Sequence, residues 1–229
     1  MYKTPAVTID VVLLTLHEGA LKVALHKRSQ APFANELALP GGYVHVDEDA
    51  SVLDTAFRVL REKTGLQPRY LEQLCVFSGP DRDPRGWSVS VSHVALIPYE
   101  TLSQAGGGGV FHFYKVDDLP HLAFDHAAQV REAVARVRNK SVYSTLPCWL
   151  LPEEFTLTQL QHTYEQILGQ SVKRGTFRSR LGIKVGDADV PLEGSTPILE
   201  ATERVSGGSH RPARLYRVNH LSLFERAIW

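Results

Sequence analysis

Two short stretches carry residue types that could do phosphate chemistry: the turn Leu39-Pro40-Gly41-Gly42 and the helix-like run RVLREKTGL, Arg58 to Leu66. Paired glycines let backbone amides approach a phosphate without a Cβ in the way. Carboxylates three and four apart on a helix point to one side. There they can share divalent cations that neutralise phosphate charge and activate water. These are parts of a phosphate-anhydride hydrolase, yet the run is poor in carboxylates: Glu62 stands between Val59 and Lys63. A third stretch, Asp81-Arg82-Asp83-Pro84-Arg85-Gly86-Trp87, adds cations and an aromatic face. With Arg28 and Arg58, its arginines could grip phosphates bidentately, and Trp87 could stack on a base.

Alternating strand-like and helix-like segments must position these residues. Ala6 to Thr15, Leu21 to His26, Arg69 to Ser78 and Ser88 to Ile97 read as strands, the last alternating Ser88, Ser90 and Ser92 with Val89, Val91 and His93. Ala50 to Thr64 reads as a helix, because Val52, Leu53, Ala56, Phe57, Val59 and Leu60 recur at helical spacing and Gly65 is a natural terminator. Gly106 to Gly109 is a connection before a strand from Val110 to Val116, and Ala127 to Arg138 is a second helix. This part is an α+β or mixed-sheet sandwich with helices on both faces.

A second domain begins near Pro147. Leu146 to Pro152 is an apolar segment bracketed by prolines and reads as a linker, which sets the domains at residues 1–148 and 149–229. Thr156 and Gln159 have the spacing of a capping box for a helix ending at Gly169. A second helix from about Lys173 to Leu181 follows, then strands at about Ile198 to Val205 and Ala213 to Val218 joined by Gly-Gly-Ser-His-Arg-Pro. Helix, turn, helix and hairpin is the pattern of a winged helix-turn-helix. The segment Gly182 to Pro197, which leads into the hairpin, is rich in glycine and proline.

The 229 residues include 25 basic and 25 acidic ones, so no global field marks the chain for nucleic acid or membrane. The charge is instead local. Lys173, Arg174, Arg178, Arg180 and Lys184 fall in a stretch without acids, as do Arg204, Arg211, Arg214 and Arg217. Basic residues on both groove-facing elements of one motif are the footprint of a duplex binder. Lys173, Arg174, Thr176, Arg178 and Arg180 are the candidates for the major groove, and Arg211 and Arg214 for phosphates or the minor groove. Cys75 and Cys148 lie far apart and in no C-x-x-C spacing, as suits reduced thiols in a cytoplasmic protein. The apolar N-terminal run is too short, and too interrupted by Thr and Asp, to span a bilayer.

LPGGYVHVDED followed by RVLREKTGL resembles the Nudix hydrolase signature, G-x5-E-x7-R-E-U-x-E-E-x-G-U with U aliphatic. Gly42 and Glu48 match its first glycine and glutamate, Arg58 its arginine, and Gly65 and Leu66 its end, with a gap of nine before Arg58. Of its three helix glutamates only Glu62 remains, since Val59 and Lys63 replace the others. An ammonium there repels a cation about 4 Å away by roughly 4 kcal/mol at an effective dielectric near 20. Metal-dependent hydrolysis is therefore not expected, and no catalytic residue, metal ligand or required cofactor is assigned. The pocket remains, with Arg28, Gly41, Gly42, Arg58, Glu62, Arg82, Arg85 and Trp87 as its candidate ligand-binding residues.

With FTLTQLQHTYEQILGQ, KRGTFRSRL and RPARLYRV, the chain from Thr8 to Val218 resembles the Nudix-related transcriptional regulators of NAD metabolism, the NrtR family. The resemblance implies a Nudix-type α/β/α sandwich followed by a small winged helix-turn-helix. It also implies a homodimeric repressor on a palindromic double-stranded DNA operator, released by ADP-ribose. The proline-bracketed segment and the helix Ala127 to Arg138 would then be the levers between domains. Two alternatives stand beside this: a hydrolase of ADP-ribose-like nucleoside diphosphate derivatives, and a Nudix-type regulator that senses a sugar.

Overall fold

The computed structural model describes residues 4–183, 198–207, 212–224 and 228. Lys184 and Arg211, and most of the glycine- and proline-rich segment before the wing, lie outside them. The chain forms two compact units, Met1–Arg136 and Val137–Trp229. No helix among the described residues is long and apolar enough to cross a membrane.

In the first unit, β1 (Ala6–His17) and β2 (Ala20–Lys27) form a hairpin, followed by the short strands β3 (Leu37–Ala38) and β4 (Gly41–Tyr43). Helix α1 (Val52–Thr64) comes next, then β5 (Leu71–Gly79), β6 (Ser88–Leu96), the short α2 (Tyr99–Ser103), β7 (His112–Lys115) and α3 (His126–Ser141). The seven strands make one sheet in the order β3-β2-β1-β6-β5, with β4 also on β1 and β7 also on β2. Only the β1–β6 pair is parallel, in register from Ala6 opposite Ser88 to Leu14 opposite Leu96.

Side-chain alternation along β1 divides the layers. Ile9, Val11 and Leu13 pack with Ala56 and Leu60 of α1. Asp10 points to the other face, where Gln129 of α3 donates to it. Helices thus cover both faces of a mixed sheet, the α/β/α sandwich expected. Helix α1 starts slightly later than its periodicity suggests, because Ser51 is the N-cap and accepts from the Asp54 amide, and it ends at Gly65 with φ 70°.

The boundary between the units falls inside α3, between Arg136 and Val137, ahead of the proline-bracketed segment in which the sequence pattern sets it at residues 148 and 149. That segment is no free linker: Leu146–Leu150 is a 3-10 turn with all five residues buried, packed against α4 (Leu157–Leu168). The reason is physical. A run of leucines, cysteine and tryptophan gains more by leaving water than by spacing two domains, and Pro147 fixes the turn instead of loosening it.

In the second unit, α4 carries the expected capping box. Thr156 accepts from the Gln159 amide at 3.1 Å, and the Gln159 side chain accepts from the Thr156 amide at 2.8 Å. Gly169, at φ 68°, ends the helix. Helix α5 (Arg174–Arg180) packs Phe177 edge-on against Tyr164 of α4, with ring centroids 5.4 Å apart. Tyr164 is fully buried and donates to the Ser144 carbonyl at 2.6 Å. Strands β8 (Glu200–Val205) and β9 (Arg214–Arg217) form the hairpin. Phe155 and Tyr216 tie it to the start of α4 through reciprocal backbone hydrogen bonds of 3.0 and 2.8 Å. In the hairpin, hydrogen bonds from Arg217 and then Asn219 hold the Glu200 carboxylate down to about 2.

Candidate functional site

The glycine pair sits where β4 lies against β1. A Cβ on Gly41 would come within 2.1 Å of the Asp10 carboxylate and 2.7 Å of the Ile9 carbonyl, so no side chain fits. On Gly42 it would come within 3.0 Å of Val59. The close approach opens a cavity of about 260 Å³, walled by Asp10, Arg28, Gly41, Gly42, Tyr43, Lys63, Arg82, Arg85, Phe124 and His126 among others. That is near the lower end of the roughly 300–1,000 Å³ usual for small-molecule sites. An adjoining recess of about 770 Å³ shares Tyr43, Asp83 and Arg85 with it and ends at Trp87, which is 50 % exposed. Of the expected ligand residues, Arg28, Gly41, Gly42, Arg82 and Arg85 are thus brought to one cavity, and Trp87 to its neighbour.

Arg58 and Glu62 do not line it. Arg58 is buried, and its fork grips both oxygens of Asp49 at 2.8 Å while also donating to the Tyr43 carbonyl at 2.9 Å and to Glu62 at 3.2 Å. With every edge of the guanidinium engaged, the residue pins the loop after β4 to α1. Its ion pair is strong enough to push the arginine well above its usual range, the Asp49 hydrogen bond contributing most. Asp49, not Glu48, is the carboxylate that holds this arginine; Glu48 approaches it only to 3.9 Å.

The floor of the cavity is a polar network that the sequence reading missed. Asp10 accepts from Ser90 at 2.6 Å and Gln129 at 3.1 Å, and His126 Nε2 lies 3.5 Å from its other oxygen. Burial alone would raise its pKa, but His126 and these hydrogen bonds outweigh burial and hold the carboxyl below its ordinary range. The Leu39 amide donates to His126 Nδ1 at 3.0 Å, which leaves the ring proton on Nε2, facing Asp10. The Arg82 side chain, little exposed, lies beside them. It makes a fork to Asp125 at 2.9 Å on each arm, donates to Ser88 at 3.1 Å, and lies 3.5 Å from Asp10. One signal was available: Asp10 is the one acid in β1, among mostly apolar neighbours, and a buried acid needs partners.

The remaining cations differ in their partners. Arg85 forks onto Asp83 at 2.7 and 2.9 Å, which pulls the Asp83 carboxyl down. Arg28 donates to the Pro32 carbonyl at 2.8 Å and lies over the Phe124 ring at 4.8 Å. Lys63 turns its amine to the Gly41 carbonyl. Val59 is buried against Gly42, Glu62 is drawn to Arg58, and Lys63 brings a positive charge. Among the described residues no group of three or more His, Cys, Asp or Glu is placed to hold a metal ion.

In the second unit, α4 and α5 make the helix-turn-helix. Lys173 and Arg174 are exposed at the start of α5, and Thr176 and Arg180 are partly exposed. Arg178 is only 7 % exposed, so it belongs to the packing of the unit rather than to its open face. On the wing Arg214 is exposed, whereas Arg217 pairs with Glu200 at 2.6 Å and Arg204 with Glu154 at 2.8 Å. Among the described residues, Lys173, Arg174 and Arg214 have no carboxylate partner.

Known proteins share both halves. Residues 4–137 match the NUDIX domain, and residues 147–184 match the NrtR DNA-binding winged helix domain. The chain is 37 % identical over 223 residues to the ADPR responsive transcriptional repressor NtrR of Acinetobacter baylyi, covering 94 % of this chain and 83 % of that protein. It is similar to the crystal structure of Shewanella oneidensis NrtR complexed with a 27mer DNA, with a TM-score of 0.83 and 35 % identity over 97 % of this chain and 99 % of that one. The NUDIX domain of the Shewanella protein, complexed with ADP ribose, matches 59 % of this chain and 90 % of its own length at 39 % identity and a TM-score of 0.53. A Nudix sandwich followed by this winged helix, alike over nearly the whole length, places the chain in the NrtR family of Nudix-related transcriptional regulators.

Proposed function

We propose that this chain is a DNA-binding transcriptional repressor of NAD biosynthesis and salvage genes, acting in the cytoplasm as a homodimer on a palindromic operator. ADP-ribose or a related NAD metabolite occupies the Nudix cavity and lowers operator affinity. The observation that carries the reading is the pairing, in one chain, of a cation-lined cavity behind Gly41 with a winged helix whose α5 starts on exposed Lys173 and Arg174. A ligand can switch such a protein only through different affinities for its DNA-competent and DNA-incompetent states. Helix α3 is the natural lever, since its first residue, His126, walls the cavity and its last residues belong to the second unit. Selecting bound fragments from the source genome tests the repressor directly; inverted repeats ahead of genes that handle NAD are expected.

In this reading the Nudix unit binds without cutting. Hard divalent cations need several oxygen ligands, and the positions of Val59 and Lys63 supply none. AMP release from ADP-ribose with Mg²⁺ or Mn²⁺ is expected to stay far below the roughly 1 s⁻¹ at the low end of ordinary enzyme turnover. Turnover at or above that rate, measured by chromatography of the products, would favour a hydrolase with an irregular metal site.

A further inference from the structure

Four cationic side chains wall the cavity, but they are not equivalent. Arg82 is neutralised by Asp125 with Asp10 close by, and Arg85 by Asp83. Arg28 and Lys63 are held only by neutral groups: the Pro32 and Gln30 carbonyls and the Phe124 ring for the first, the Gly41 carbonyl for the second. Neither has a carboxylate within ion-pair distance among the described residues. A carbonyl orients a cation without cancelling its charge, so both charges stay open to an incoming anion, Arg28 from a half-buried position and Lys63 from an exposed residue whose amine turns to the glycine turn. Desolvation is the first cause that pushes both groups below their usual ranges, and Asp10 acts the other way on each. An anion placed between them would relieve both.

Lys63 also stands where the Nudix pattern has a helix carboxylate, and its amine reaches the carbonyl of the glycine turn itself. We propose that Lys63 and Arg28 form an anion clamp that holds the diphosphate of the ligand without a divalent cation, the Lys63 ammonium serving as a tethered substitute for the metal. Arg28 contributes a planar fork suited to two phosphate oxygens, and Lys63 a compact point charge. Arg82, by contrast, positions Asp125 and Asp10 and is not the main phosphate contact. The inference rests on the reading that the cavity takes a nucleoside diphosphate sugar, but it makes separate claims about metal and about Lys63.

Isothermal titration of the full chain with ADP-ribose, in EDTA and in Mg²⁺, and with inorganic pyrophosphate in EDTA, tests it. The wild-type affinity for ADP-ribose should agree within about twofold between the two buffers, and Lys63→Gln should weaken both ligands about tenfold or more in EDTA. ADP-ribose binding that is lost in EDTA overturns the clamp, and so does a folded Lys63→Gln that binds like wild type. The EDTA comparison needs no variant and decides the metal claim even if Lys63→Gln unfolds, and pyrophosphate titration of Arg28→Gln then tests the clamp. If pyrophosphate binds in EDTA through Lys63 while ADP-ribose binds in neither buffer, the clamp stands and the effector reading falls. If neither ligand binds in EDTA, the clamp falls.

Discussion

Arg82→Ala should lower the stability of the Nudix unit by about 3 kcal/mol, in the range found when one partner of a buried ion pair is removed. The side chain is 8 % exposed, and its loss leaves Asp125 without its fork, Ser88 without a donor and Asp10 without the guanidinium 3.5 Å away. The two carboxylates then face each other across Gln129, which donates to both. Denaturant titration of the two proteins measures the difference, and Arg28→Gln is the control, because Arg28 is held by carbonyls and an aromatic ring and should cost far less. Arg82 looked like a ligand residue in the sequence; the expected result separates that role from the structural one. A variant as stable as wild type that had lost only ligand binding would contradict the network described here.

Replacing Lys173 and Arg174 together by alanine is expected to weaken operator binding about tenfold to a hundredfold, with little change in stability. Each lost phosphate contact should also flatten the dependence of log affinity on log salt by roughly 0.9. Both side chains are exposed at the start of α5, so their removal opens no cavity. Arg178→Ala should behave differently. It is buried in the same helix, and truncation there should lower the melting temperature before it says anything about DNA. Anisotropy titrations over a salt series, beside thermal melts, distinguish the two outcomes; a double variant with unchanged affinity and salt slope would remove α5 from the interface.

Much of the fold could be read from pattern, because helices and strands announce themselves through periodicity and caps. Ser51, Gly65, Thr156, Gln159 and Gly169 are all at the ends of helices for local chemical reasons. What local pattern could not give was the partner of each polar side chain. Ser88, Ser90 and Ser92 alternate as if on a wet face, yet all three are buried, two of them bonded to Arg82 of the loop before β6 and to Asp10 of β1. Arg58 and Arg82 read as phosphate ligands because arginines near a glycine turn often are; the structure pairs them with Asp49 and Asp125, and of the two only Arg82 also lines the cavity. All of β6, α2 and β7 lies between Arg82 and Asp125 in the chain, and no spacing rule links the two. Likewise the apolar Leu146–Leu150 segment reads as a linker from its prolines, and only its packing against α4 shows that it is core.

The most direct test of the account is the affinity of the full chain for its operator duplex with and without millimolar ADP-ribose, in a buffer containing EDTA. A metal-free sensor that reports to a winged helix predicts that ADP-ribose weakens DNA binding by about tenfold or more. Operator affinity that is the same with and without ADP-ribose would contradict it.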